Sequence, residues 1–516
     1  MGKLSAYLSA FCILVICATR WLPCFAGIDS CAQTPYPHVC NHFIGSSLLT
    51  NQQTEETFPS LFSRSISVTT SLAMQAHQAS SSFAGRSTDP RANVAWSDCS
   101  ELFADTVNLL AQSLATTNPG YAQTLLSAAV ANQETCRNGF IDLNMASSFN
   151  QLSPSLMKNI SNLLSNALAV KNGGKFPLSI QTNGRKLLSS DGFPSWVPTS
   201  HRRLLQSPPK ADVVVAADGS GNYKTVSEAV AAYGGGASRY VIYVKAGVYK
   251  ENVLINMKNI MLVGDGADST IITGNNHAGE ITTFRTATVA VTGDGFLAKG
   301  ITFENTAGPE NHQAVALRSS SDLSVFYNCN FKGYQDTLYV FSMRQYYRDC
   351  KIYGTVDFIF GDAAAVFQNC NIYLRQPMGG QVNTVTAHGR SDPNENTGIV
   401  IHASVIQGDS DLKSDTKSYL GRPWKEYSRT VIMKSTVDGA INSAGWLPWA
   451  GNFALSTLYY AEYMNTGSGA DTSNRVSWPG YHVLKSPAEA ADFTLGNFIV
   501  GDSWIPSTGV PFISGL

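Results

Sequence analysis

Three stretches of the chain follow one pattern: Val325-Phe326-Tyr327-Asn328-Cys329-Asn330-Phe331, Tyr346-Tyr347-Arg348-Asp349-Cys350-Lys351-Ile352 and Val366-Phe367-Gln368-Asn369-Cys370-Asn371-Ile372. Their cysteines recur at intervals of 21 and 20 residues. Elsewhere after Ala211 the chain runs in short groups of Val, Ile, Tyr and Phe bounded by Gly, Asn and Asp, such as Tyr240-Val241-Ile242-Tyr243-Val244 and Ile260-Met261-Leu262-Val263, which are strands. A period of this size without amphipathic helices between the strands marks a solenoid of stacked parallel strands. The spacing predicts an all-β, right-handed parallel β-helix over residues 211–516.

The period also dictates which side chains meet. Residues one coil apart lie on neighbouring strands, about 4.8 Å apart. Asp336 and Asp357 are 21 residues apart, so the fold brings two carboxyl groups nearly into contact, and Gln313 and Gln335, 22 apart, form a similar amide pair beside them. Neighbouring coils bring Cys350 within disulfide reach of either Cys329 or Cys370, and the repeat does not choose between them. Two adjacent carboxylates do not both ionise cheaply: one keeps its proton and the other stays anionic. That separates an acid from a nucleophile. Arg422, in Gly421-Arg422-Pro423-Trp424, is placed to grip the anion through a two-pronged hydrogen bond, and Trp424 offers a flat face to a sugar ring. Either aspartate alone reads as an ordinary turn residue; their matched register singles them out.

The chain has 516 residues, 44% of them hydrophobic and only 14% charged, which excludes a disordered protein or a coiled coil. Its net charge of -1 provides no general field for nucleic acid. The apolar run Leu4–Ala18, followed by small residues around Cys24-Phe25-Ala26-Gly27, reads as a secretory signal over residues 1–26, and the protein is expected outside the cell. Residues 27–172 have helical periodicity, with Leu156, Ile160, Leu163 and Ala167 on one face, Ser153-Pro154 as a helix start and Asn118-Pro119-Gly120 as a break, and so form an all-α four-helix bundle. Cys31 with Cys40 closes a short loop there, and Cys99 with Cys136 can staple two helices. Seven cysteines remain once Cys12, Cys17 and Cys24 leave with the signal, so one thiol should stay free. Residues 173–210 are a linker with two basic sites, Arg185-Lys186-Leu187-Leu188 and Arg202-Arg203-Leu204-Leu205, open to a processing protease. Asn159-Ile160-Ser161 is a glycosylation sequon.

Other chemistries are thinly supported. There is no Gly-x-Ser-x-Gly elbow, and Gly408-Asp409-Ser410 and Gly501-Asp502-Ser503 lack a placed histidine. His38 and His42 lack the glutamate of a metalloprotease helix, and Gly264-Asp265-Gly266 lacks the rest of a dinucleotide fingerprint. No cofactor and no metal are implied. A β-helical glycosidase or lyase is one rival, although inverting hydrolases need carboxyl groups about 6.5–9.5 Å apart. A non-catalytic polysaccharide-binding protein with an inhibitory bundle is the other.

Gly247-Val248-Tyr249-Lys250-Glu251, Gln313-Ala314-Val315-Ala316-Leu317, Gln335-Asp336-Thr337-Leu338, Asp357-Phe358-Ile359-Phe360-Gly361 and Tyr419-Leu420-Gly421-Arg422-Pro423-Trp424-Lys425 resemble, in order, the five signature segments of plant pectin methylesterases. Residues 31–172 resemble the inhibitor domain that precedes the enzyme in longer members. The resemblance implies hydrolysis of the methyl esters of galacturonate units in pectin of the cell wall. It makes Asp357 the nucleophile, Asp336 the proton donor and then base, and Gln335 the transition-state stabiliser, with Gln313, Thr283, Arg422 and Trp424 binding substrate. It further implies disulfides Cys350–Cys370, Cys31–Cys40 and Cys99–Cys136, processing at a basic Leu-Leu site, separate inhibitor proteins as partners, and a monomer. Two positions depart from the family: Asp362, where Asn is usual, raises the pair's proton affinity where it points inward, and His388 stands where Gln is usual.

Overall fold

A computed structural model describes residues 30–45, 60–172, 211–236 and 239–516. The expected signal segment and both basic Leu-Leu sites lie outside the described residues.

Helices α1 (Leu61–Phe83), α2 (Pro90–Ala115), α3 (Pro119–Asp142) and α4 (Pro154–Asn172) pack in a ring, each against two neighbours. Their starts are written in the chain. Prolines open three of them, where the missing N–H costs nothing, and the side chains of Asp89 and Asn118 accept from the backbone N–H groups of Arg91 and Tyr121. Inside, Trp96 lies against Phe140 at a centroid distance of 4.6 Å. Cys99–Cys136 ties α2 to α3, and Cys31–Cys40 closes a small N-terminal loop as expected. Asn159 is half-buried on α4.

From Val213 on, every strand pairs in parallel, in three sheets of eleven, eight and seven strands. The quoted repeat explains the stack. Val325, Tyr346 and Val366 stand in register on adjacent rungs, as do Phe331, Ile352 and Ile372. The next residue of each repeat, Phe326, Tyr347 and Phe367, points inward, and the three rings stack at 4.7 and 4.4 Å, each such pair adding about 0.5–1.5 kcal/mol beyond area burial. Asn328, Asp349 and Asn369 all have positive φ, from 54° to 55°, so the Asn/Asp of the repeat makes the corner between two sheets.

The cysteine ladder corrects one expectation. Cys329, Cys350 and Cys370 are all buried free thiols, so three stay free rather than one, and the Cys350–Cys370 bond is absent. The Cys350 thiol donates to the carbonyls of Phe326 and Arg348 at 3.4 and 3.3 Å. In-register neighbours sit roughly 4.8 Å apart with parallel side chains, whereas a disulfide brings its Cβ atoms to about 3.8 Å.

The seven-stranded sheet carries the groove. Its strands are β1 (Val253–Ile255), β2 (Val289–Val291), β3 (Leu317–Ser319), β4 (Leu338–Val340), β5 (Ile359–Gly361), β6 (Asn383–His388) and β7 (Ser418–Gly421), stacked in that order. The largest hydrophobic core consists of coil residues alone. A second core joins bundle residues such as Leu125 and Phe140 to Phe284, Tyr339 and Phe360 of the coils. Bundle and coils therefore share an apolar interface. Gly139 allows the close approach, since a Cβ there would lie 3.0 Å from the Thr282 methyl.

Candidate active site

Asp336 and Asp357 each stand two residues before their strand, and Leu338 pairs with Ile359, so the two aspartates face each other across one rung. Both have positive φ, 61° and 51°. They are turn residues and site residues at once, because the left-handed corner, which Asp tolerates, turns each side chain off the sheet into the groove.

Their surroundings differ sharply. Asp357 accepts Arg422 Nε at 2.8 Å and Nη2 at 2.6 Å, with a third bond from the Thr384 hydroxyl at 2.6 Å. The guanidinium is itself held 4.4 Å from the centre of the Trp449 ring. Three donors on one carboxyl group describe an anion. Asp336 is buried, and among the described residues no side chain donates to its carboxyl group. Burial, the negative charge of Asp357 and then Asp142 raise its proton affinity well above the usual carboxylate range, against the pull of Arg422. A carboxyl group of raised proton affinity and an arginine-bound one therefore stand side by side.

The groove is a cavity of about 670 Å³ whose walls include Asp336, Asp357, Thr283, Gln313, Gln335, Arg422 and Trp424, the residues expected to bind or act on substrate. The amide pairing is looser than expected. The strand register of 21 sets the Ala314 N–H against the Gln335 carbonyl at 3.2 Å, leaving Gln313 one residue out of step. Trp424 packs edge-on to Phe360 at 5.9 Å. Gly361, at φ 128°, lets the strand turn where a Cβ would meet the Val340 carbonyl at 2.0 Å.

The two departures from the family do not reach the pair. The side chain of Asp362 accepts from the Thr397 hydroxyl at 2.7 Å and lies against Glu395 and His388; burial pushes its pKa up to about 6. His388 is fully buried, and loss of solvation lowers its pKa to about 3. The extra carboxyl group acting on Asp336 is instead Asp142, from the bundle.

Sequence reasoning missed that α3 lies along the groove. Asp142 accepts from the Thr283 N–H at 3.3 Å, and Lys425 donates to Glu134 Oε2 at 2.6 Å and Asn138 Oδ1 at 3.1 Å. Glu134, Asn138 and Asp142 recur every four residues, so they share one helix face, the only signal the chain offers. Thr384 and Trp449 carried no signal at all.

A parallel β-helix thus carries a groove, walled by aromatic rings, in which a buried carboxyl group stands beside an arginine-bound one. Residues 212–502 match the pectinesterase family and residues 28–170 the plant invertase/pectin methylesterase inhibitor family. Pectinesterase 2 of Citrus sinensis is 51% identical over 495 residues, 94% of each chain, and probable pectinesterase/pectinesterase inhibitor 17 of Arabidopsis thaliana is 50% identical over 530 residues, the whole of both. The solved pectin methylesterase from carrot shares 59% identity over 59% of this chain and 98% of its own, with a TM-score of 0.59. The chain belongs to the pectinesterase family and carries an inhibitor-type helical region ahead of the enzyme fold.

Proposed function

We propose that the chain hydrolyses methyl esters of galacturonate units in pectin, with Asp357 as nucleophile and Asp336 as acid and then base. The two-pronged grip of Arg422 on Asp357, beside a buried Asp336 whose carboxyl group receives no side-chain hydrogen bond among the described residues, carries this reading. A carboxylate oxygen of Asp357 attacks the ester carbonyl carbon, and the amides of Gln335 and Gln313 donate to the oxyanion that forms. The carbon–oxygen bond to the methoxy group breaks as Asp336 gives it a proton, releasing methanol and leaving an acyl-enzyme. Asp336, now anionic, takes a proton from water. The resulting hydroxide adds to the acyl carbon, the bond to Asp357 breaks, and the product acid ionises. Thr283 and Trp424 bind the polymer.

The same reading divides the chain into a signal (1–26), an inhibitor-like bundle (27–172), a linker cut at Arg185–Leu188 or Arg202–Leu205 (173–210) and the enzyme (211–516). The protein is secreted to the cell wall and carries a glycan on Asn159. The bundle closes the groove until the linker is cut, supported by Asp142 standing at Thr283 and by the Glu134–Lys425 pair across the cleft.

Methanol release from methylated pectin, compared between the uncut chain and the chain starting at Gln206, tests both parts. The shorter chain is expected to release methanol without new reducing or unsaturated ends, and the uncut chain far less. New chain ends without methanol would overturn the esterase; equal rates would overturn closure by the bundle.

A further inference from the structure

The two oxygens of Asp357 are not equivalent, and the difference comes from the next rung. Thr384, on β6, stands two residues before Thr386, which pairs with Ile359 of β5, so it lies directly beside Asp357 and is fully buried there. Its backbone grips the nucleophile's corner on both flanks: its N–H donates to the Thr355 carbonyl at 3.1 Å, and its carbonyl accepts from the Phe358 N–H at 3.3 Å. Its hydroxyl takes the place between, accepting from the Asp357 N–H at 2.8 Å and donating to Asp357 Oδ1 at 2.6 Å. Of these two neighbours only Oδ1 can accept, so the single hydroxyl hydrogen is committed to it. Arg422 Nε also donates to Oδ1, at 2.8 Å, whereas among the described side chains Oδ2 receives Arg422 Nη2 alone, at 2.6 Å. A carboxylate oxygen offers about two lone-pair sites. Those of Oδ1 are both engaged, and one on Oδ2 is open.

We propose that Thr384 is a positioning residue for the nucleophile, filling Oδ1 of Asp357 and leaving Oδ2 as the atom that attacks. The inference rests on the esterase reading and deepens it. A lone pair of Oδ2 forms the bond to the ester carbon as the carbonyl electron pair moves onto the oxyanion. When that pair returns and the methoxy group leaves with the proton of Asp336, Asp357 and the galacturonate acyl group form a mixed anhydride, with Oδ2 as the bridge and Oδ1 as a carbonyl oxygen. The second half-reaction reverses the change at this carboxyl group: water adds to the galacturonate carbon, the bridging bond breaks, and its electron pair returns to Asp357. The departing carboxylate is met by the Thr384 hydroxyl and the Arg422 guanidinium already in place, so no donor has to be gathered as the charge forms. Thr384 thus serves both half-reactions through Asp357 alone, from behind the groove wall.

Thr384→Val and Thr384→Ser pull packing and chemistry apart, in the chain from Gln206 onward, whose main core is made of coil residues alone. Valine keeps the volume and the branched Cβ that suits a strand but has no hydroxyl; serine keeps the hydroxyl and loses the methyl group. In Thr384→Val, kcat for methanol release should fall roughly ten- to a hundredfold with KM changed less than about twofold, whereas Thr384→Ser should stay within about threefold of the parent. A residue that only filled space would give the opposite order, with valine the better enzyme. Thermal unfolding verifies both folds. A second measurement needs no change at Thr384: in crystals of the parent soaked with methylated oligogalacturonate and frozen during turnover, the acyl group should sit on the Asp357 oxygen that Thr384 does not touch. An acyl group on the other oxygen, or a folded Thr384→Val protein as fast as an active parent, would overturn the assignment of Thr384 alone. A parent that releases no methanol would sink the esterase reading and this inference with it.

Discussion

The coils and the bundle both bring carboxyl groups to one groove, but they hold them differently. Asp336 and Asp357 are set by backbone register, on adjacent rungs of β4 and β5, and so must face each other. Asp98 and Glu101 on α2, and Glu134 and Asp142 on α3, are set by helical periodicity and face outward to Arg285 and Lys425. Like charges stacked on rungs raise the proton affinity of the one that has no cation of its own. Like charges spread along a helix face find cations and become adhesive.

Substitution separates the two sets most strongly at the pair itself. Asp357→Asn or Asp336→Asn in the chain from Gln206 should lower methanol release by roughly a thousandfold or more in a protein that still unfolds cooperatively. Asp142→Asn in the uncut chain should act in the opposite direction and raise release; an uncut variant as silent as its parent would erase the contrast. In the cores, Tyr347→Ala should cost about 3–5 kcal/mol in the unfolding of the coils, and Phe140→Ala a similar amount in the bundle. Calorimetry showing one common transition for both variants would mean that the regions unfold as one unit.

At the interface, Asp98→Asn leaves the Arg285 fork partly unmatched and should weaken docking by about 2 kcal/mol, read as faster amide exchange across residues 282–285. Acidity sharpens the comparison further. Burial raises the proton affinity of Asp142 in the docked state. A carboxyl group whose pKa rises on docking favours the docked form fully below its free value, and that contribution is lost as pH climbs through the docked value. Methanol release by the uncut chain should therefore rise with pH relative to the cut chain. The smallest effect is at Asp362, held at about 6 by burial. Its contribution to the fold is present below about 4 and lost as pH rises through about 6, so Asp362→Asn should gain roughly 2–4 °C in Tm over its parent across that window.

Much of the fold was legible because it repeats. Strand, corner and inward ring recur every 20 or 21 residues, so positions one period apart must stack, and this alone set Asp336 against Asp357. Arg422 and Trp424 were found through a motif, since nothing periodic links a residue to one 65 positions away. The cysteine ladder marks the limit of spacing as an argument: it brought three thiols near one another without deciding their bonding.

The amino-acid order by itself determined the solenoid, the facing acids and the helical character of the first part, because each follows from a local period that short-range sterics and burial enforce. Only the tertiary structure decided that α3 lies across the groove, that Asp142 adds to the raised proton affinity of Asp336, and that Asp98 answers Arg285 across 187 residues. Those contacts depend on how two separately folded surfaces match in shape and charge, and no repeat along the chain encodes that match.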